Sequence, residues 1–432
     1  MNKFAKLSLF AALFALAPFV SICQQIVLLG KITDTETGTA LPYATIFLTG
    51  NSLSTISNGD GEFNLTMPAS SVGDTIKVSM MGYAIYQKRV GDIISTDNLS
   101  IRLAIKPIRL EEVVIMEKKI TAKVVVTKAF ENIENNFPTK TYRLNGFYRE
   151  MHLENNKSVE LIEAAIDIYD NGYKIYKGDR PRINEKVNLK NVRASKNYRN
   201  ACFDRTRIEQ YNLVVGALVH NPVRYRPSNL TQWEQDKAFK IDTMLYMHDR
   251  PIYVVSFLSY LPEFPNFERK NAIYIDAENY SIYKYTWEEY AKEGKYSEKP
   301  WRLSKGSKYT TNRKRISTVY EYGNYNGKMY LTYFDEKCYD DIVDSKIDSV
   351  IFESLGHVTL VTGQIESDEV KMIQEETLHR DQSLATQLKT YDPQFWRNYE
   401  HVKVMPLTRR NVADLAKEMP LEEQFKIEGS HK

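Results

Sequence analysis

Two hydrophobic periods divide the chain. Up to about residue 105, apolar and polar positions alternate in short runs. Ile26-Val27-Leu28-Leu29-Gly30-Lys31-Ile32 and Thr45-Ile46-Phe47-Leu48 read as strands, separated by the turn formers Asp34-Thr35-Glu36-Thr37-Gly38 and by Leu41-Pro42. Pro42 removes a ladder donor and marks the start or edge of the second strand. The Asn-Gly and Asp-Gly steps of Asn58-Gly59-Asp60-Gly61-Glu62 tolerate positive φ and predict a tight hairpin turn, after which Phe63 and Leu65 resume the alternation. Ile76, Val78 and Met80 share one face of a further strand. Ile101 and Leu103 share one face of a last strand over 100–105.

The period changes over 120–137, where Val126, Phe130, Ile133 and Phe137 fall at helical spacing ahead of Pro138. Alternation then returns. Strands are predicted over 142–151, 160–169, 253–257, 272–276, 281–287, 317–325, 328–337 and 357–365, with the basic stretch up to Lys196 as loop and solvated edge. From Glu375 the pattern is helical, and Thr408 is a fair N-cap for a helix carrying Val412, Leu415 and Met419 before Pro420. The fold class expected is mainly β. A sandwich occupies 24–104 and a linker 105–120; a helix plus a large antiparallel β-rich domain follow over 121–374, and a helical C-terminal region over 375–432.

Residues 1–23 stand apart. Lys3 and Lys6 precede an apolar core over 7–20, and Ser21 and Cys23 supply the small residues of a cleavage site, so this segment is expected to be an export signal removed before Gln24. It is short for a membrane span, and no other apolar run is long enough to make one. Lipidation of Cys23 is the alternative, although Ile22 is not the small residue such signals place before the cysteine. An exported protein of the periplasm or outer-membrane surface is expected. Composition agrees with a folded chain, at 43% hydrophobic and 26% charged residues. The 29 Tyr and 18 Phe favour strands. A net charge of +3 over 432 residues gives no field that would favour nucleic acid.

The order Gly30-Lys31-Ile32, Asp34, Gly38, Leu41-Pro42, Ala44, Ile46, Asn58, Gly61, Phe63, Pro68, Gly82-Tyr83 resembles the carboxypeptidase-regulatory-like domain of secreted Gram-negative envelope proteins. That resemblance implies a seven-strand, transthyretin-like or Ig-like sandwich with an interaction or folding role, and implies no peptidase activity. Further along, the strand ending in Ile275-Asp276, the turn, and Tyr280-Ser281-Ile282 resemble the open half-barrel of periplasmic lipoprotein-carrier and sensor proteins.

Motifs of catalysis are missing from the sequence. There is no His-x-x-Glu and no His-Glu-x-x-His, and His152 and Glu154 stand two apart on a predicted strand. No Gly-x-Ser-x-Gly elbow, P-loop or dinucleotide fingerprint occurs. Asp340-Asp341 and Glu288-Glu289 are neighbours on strands and must point to opposite faces. No catalytic, cofactor or metal residue is assigned. Cys202 and Cys338 are the pair an oxidising compartment could join, the alternative being two separate thiols. The loop from Leu261 to Phe267 and two tryptophans give a candidate contact surface of Phe264, Phe267, Trp287 and Trp301. The function expected is a non-enzymatic envelope protein whose sandwich is an interaction module and whose β-rich body binds a partner, a lipid or a glycan. A hydrolase with dispersed carboxylates would instead show a cleft between two carboxyl groups. A lipid carrier would show an apolar cavity.

Overall fold

The computed structural model describes residues 25–49, 54–80, 82–94, 98–105, 120–173, 185–196, 213–224, 238–247, 250–260, 267–291, 301–302, 309–375, 377–380, 382, 384–387, 391–397, 399 and 406–428. The expected export segment, most of the expected linker, Cys202 and Phe264 lie outside the described residues.

The N-terminal strands are β1 (Gln25–Asp34), β2 (Thr45–Thr49), β3 (Ser54–Ile56), β4 (Glu62–Pro68), β5 (Thr75–Ser79), β6 (Tyr86–Arg89) and β7 (Leu99–Leu103). They form two sheets, β4-β1-β7 and β3-β2-β5-β6. The alternating residues Leu28, Ile32, Ile46, Leu48, Phe63, Leu65, Ile76, Val78 and Ile101 meet between the sheets as one core. This is the seven-strand sandwich expected.

The Asn58 turn differs from its expectation. Asn58 Oδ1 accepts from the amides of Asp60 (2.9 Å) and Glu62 (2.8 Å), and Gly61 takes a φ of 75°. Yet β3 pairs with β2 while β4 pairs with β1, where Leu65 faces Leu28. The turn is therefore a corner that carries the chain from one sheet to the other. The core chooses the partner, and the turn residues only permit the reversal.

The second body opens with α1 (Ala122–Glu131) and α2 (Ile133–Asn136), one expected helix interrupted at Asn132. Then come β8 (Tyr142–Glu154), β9 (Lys157–Asp170), β10 (Lys186–Lys196), α3 (Leu213–Val219), β11 (Lys240–Met247), β12 (Arg250–Tyr260), β13 (Phe267–Asp276), β14 (Ile282–Ala291), β15 (Trp301–Arg302), β16 (Tyr309–Tyr325), β17 (Lys328–Asp344) and β18 (Ser349–Glu366). One antiparallel sheet joins them in the order β10-β9-β8-β18-β17-β16-β14-β13-β12-β11, with β15 added beside β16. Asn155 and Asn156, both at positive φ, make the two-residue turn between β8 and β9, and Asn326-Gly327 does the same between β16 and β17. The stretch read as solvated edge is in fact edge strand β10, with Val187, Leu189, Val192 and Ala194 buried. Its lysines are what an edge strand uses to discourage pairing, and they masked the alternation.

Helices α1 to α3 cover one face of this sheet, here the front. Phe137 stacks near Tyr173 (4.7 Å) and Tyr322 (5.4 Å), and the Tyr320 hydroxyl donates to the Ala217 carbonyl of α3 (2.9 Å). The back face carries the sandwich and the C-terminal helices α4 (Pro393–Arg397), α5 (Arg409–Leu415) and α6 (Leu421–Glu428). Tyr43 of the sandwich meets Tyr333 of β17 and accepts from Lys337 Nζ (2.7 Å), and Ile56 joins Phe147, Tyr333 and Val361. Thr408 caps α5 as expected, in a capping box with Asn411. Leu415 and Phe425 cover Leu161, and Arg193 lies 4.2 Å from the Trp396 ring. Among the described residues no helix is long and apolar enough to cross a membrane.

The two turns of the sandwich separate backbone strain from steric contact. Gly38 and Gly61 both hold positive φ, but an added Cβ meets nothing at Gly38 and lies 2.4 Å from the Ile32 carbonyl oxygen at Gly61. Gly38→Ala is expected to cost about 1 kcal/mol in denaturant unfolding, and Gly61→Ala more than about 2 kcal/mol. Equal losses would contradict the corner geometry.

Candidate functional site on the front of the sheet

Opposed residues on antiparallel strands point the same way, so the register writes the front face as rows. In a first row Tyr148, Leu360, Phe334, Tyr320, Tyr285 and Ile273 face one another from six adjacent strands, and all are buried. Two residues along, the row becomes Glu150, Val358, Glu336, Thr318, Trp287 and Asn271. Two further, it becomes His152, Gly356, Cys338, Ile316, Glu289 and Arg269. Here His152, Gly356, Cys338 and Ile316 are half-exposed. The face thus runs from an apolar floor, through a row with two acids, to a polar mouth.

The opposite end is sealed. Tyr142 donates to Asp170 Oδ2 (2.8 Å), and buried Arg224 pairs with Asp170 (3.2 Å) and reaches Glu185 (3.6 Å) beside the Tyr173 ring. A buried arginine is tolerated only with such partners.

Glu150 is a buried acid with one oxygen unanswered. It is 2% exposed. Tyr148 donates to its Oε1 (2.6 Å), whereas Oε2 has no hydrogen-bond partner among the described residues. Burial pushes its carboxyl up to about 7 against the pull of the Tyr148 hydroxyl. Across Val358, burial also raises Glu336, whose Oε2 accepts from Thr318 (3.1 Å) and whose Oε1 lies 3.9 Å from the Cys338 thiol. The two acids stand on strands separated by β18, about 10 Å apart at two strand spacings. Glu150 can hold or release a proton near neutrality, and both carboxyls can offer acceptors to a group arriving from the mouth. Among the described residues no cluster of three His, Cys, Asp or Glu could hold a metal ion.

The residues singled out from sequence are dispersed. Phe267 opens β13 and is 4% exposed, so it is a packing residue instead of a loop contact. Trp287 is half-buried in the second row, with its ring centroid 5.4 Å from that of Tyr320 and 5.6 Å from the Arg269 guanidinium. The backbone of Trp301 pairs opposite Thr311. Cys338 is half-buried in the third row beside Glu336. The adjacent acids split as expected: Asp340 pairs with Arg313 and Asp341 with Lys314 (2.7 Å), while Glu288 pairs with Arg315 and Glu289 with Arg269. Glu150 and Glu336 carry no motif, but each keeps phase with core aromatics, Glu150 with Tyr148 and Glu336 with Phe334. An acid in the core phase of a strand was the available signal.

Glu150 has a consequence for stability. Its ordinary value is 4.5, below the folded value of about 7, so the unfolded chain ionises first as pH rises. Stability is full below about pH 4.5 and falls by about 3 kcal/mol by pH 7 and above. Glu150→Gln is therefore expected to raise the thermal midpoint above neutrality and leave it unchanged in acid. A pH-independent difference between the two proteins would contradict this placement.

Residues 28–115 match the family model of the CarboxypepD_reg-like domain. No curated protein matches the chain. Among solved structures, it is similar to a LolA superfamily protein from Nitrosomonas europaea, at 13% identity and a TM-score of 0.24, covering 59% of this chain and 96% of that one. It is also similar to a domain from Vibrio parahaemolyticus, provisionally described as outer membrane lipoprotein-sorting, at 8% identity and a TM-score of 0.25, covering 58% and 95%. The match over 28–115 and the two small sheets agree, and the N-terminal sandwich is a CarboxypepD_reg-like domain.

Proposed function

We propose that this chain is a non-catalytic protein of the cell envelope whose front face binds the apolar part of an amphiphile, with the N-terminal sandwich as its interaction module. The observation that carries the reading is the gradient of the front face, from Tyr148, Leu360 and Phe334, through Glu150 and Glu336, to the half-exposed mouth at His152, Cys338 and Ile316. A purely structural core has no use for a buried acid with an unanswered oxygen, which costs about 1–3 kcal/mol. The sandwich supports the second half of the reading, since it docks on the back of the sheet through Tyr43 and Ile56 and leaves Val27 and Leu29 of β1 exposed.

The test is direct binding of a ten-carbon alcohol, decanol, followed through the fluorescence of Trp287 in the second row. Ile316→Lys places a charge at the mouth without touching the first row. It is expected to weaken binding about tenfold or more, with the unfolding midpoint in denaturant unchanged. Undiminished binding by Ile316→Lys, or no binding by the parent protein, would overturn the reading.

A second reading draws on the same pair of acids. Glu150 and Glu336 stand on strands about 10 Å apart, a backbone spacing of the order of the carboxyl separation in inverting glycosidases. Hydrolysis of an aryl glycoside that is lost in both Glu150→Gln and Glu336→Gln would establish it in place of the first.

A further inference from the structure

The front face has more to answer than an alkyl chain. An occupant that enters past Ile316 and directs its apolar part to the first row leaves its polar end at the second row, between Glu150 and Glu336. What waits there is a set of acceptors. Glu150 Oε2 is buried and unpartnered among the described residues, and the Tyr148 hydroxyl is spent on Oε1. The cations of this face are already engaged, Arg269 by Glu289 and Arg313 by Asp340. The helix above, α3, contributes Val214, Ala217 and Leu218, which carry no charge.

A carboxylate or phosphate arriving here would set like charge against two acids. A hydroxyl would satisfy one oxygen. A protonated amine has three donors and a charge opposite to that of the acids, and in a buried setting charge-assisted hydrogen bonds are about twice as strong as neutral ones. We propose that the front face takes amphiphiles whose polar end is a protonated amine, seated between Glu150 and Glu336. This rests on the reading of the front face as an amphiphile site and names the class of ligand it selects.

A proton accompanies the amine. An ammonium beside Glu150 favours the ionised carboxyl, which near neutrality is only partly ionised in the free protein. Binding therefore expels a proton from Glu150 to solvent, while the amine keeps its own. The titratable and charged groups that share the site are Tyr148 and His152 on β8, Glu160 on β9, Glu336, Cys338 and Asp340 on β17, Arg313 on β16, Glu289 with Arg269 on β14 and β13, and His220 just after α3.

The experiment compares decylamine, decanol and decanoate, three probes with one alkyl length, by calorimetry on the full chain at about pH 7, in two buffers of different ionisation enthalpy. Decylamine is expected to bind about tenfold tighter than decanol, and decanoate more weakly than either. Only decylamine should release a proton. In Glu150→Gln the amine advantage and the proton release should vanish, while decanol binding stays within about twofold. Glu336→Gln should halve the advantage on a logarithmic scale. Decanol binding as well as decylamine, or an amine advantage that survives both substitutions, would overturn the proposal and leave the amphiphile site standing. Failure of all three probes would overturn both.

Discussion

Antiparallel pairing of β17 with β16 and β18 is the constraint from which the second body follows. The register sends Phe334, Glu336 and Cys338 to the front and Tyr333, Asp335 and Lys337 to the back. Three consecutive residues, Tyr333, Phe334 and Asp335, are buried, so this strand has no solvent face at that point. A slip of one residue would place Asp335 on the apolar floor and Phe334 against the sandwich, and every neighbour would lose its partner at once. The front chemistry and the back interlock are thus fixed by one alignment.

The back face shows how such a sheet is locked. Glu163 lies between Arg149 and Arg193 at 2.6 Å from each, and burial, which alone would raise it, is outweighed by the two guanidiniums. Asp335 likewise is held at about 2 despite its burial, by His357, Lys337 and the Tyr333 hydroxyl. Charges buried this way stabilise little in sum, but losing one partner strands the other, at about 3–5 kcal/mol. Around them close Tyr43 from the sandwich and Trp396 and Tyr399 from the C-terminal region, so segments from both ends of the chain meet on one surface. The front face is the contrast. Its arginines are engaged by Glu289 and Asp340, and Glu150 is left near neutrality with an oxygen unanswered.

Much of this was legible in the sequence. Alternation located the strands, the 3.6 period located α1 and α2, and Thr408 announced its helix, because each of these signals is local. What escaped was non-local. The pairing of β8 with β18 sets Glu150 opposite Val358, about 200 residues away, and no short-range pattern encodes that distance. The Asn58 turn read as a hairpin because its residues allow positive φ, while the choice of sheet belonged to Leu28 and Leu65. Lysines hid β10, since a charged edge strand and a solvated loop share a composition. The candidate site was missed for a related reason. Acids adjacent in sequence point to opposite faces, whereas the pair that shares a face is assembled by three strands.

The central claim is that one face of the sheet receives a ligand while the other is spent on holding the protein together. Photocrosslinking with a diazirine-bearing decylamine, followed by peptide mapping, tests it most directly. Adducts are expected on the front-face residues Glu150, Cys338, Ile316 and Val358. Adducts confined to the back-face residues Phe147, Tyr333 and Trp396, or to the sandwich, would contradict it.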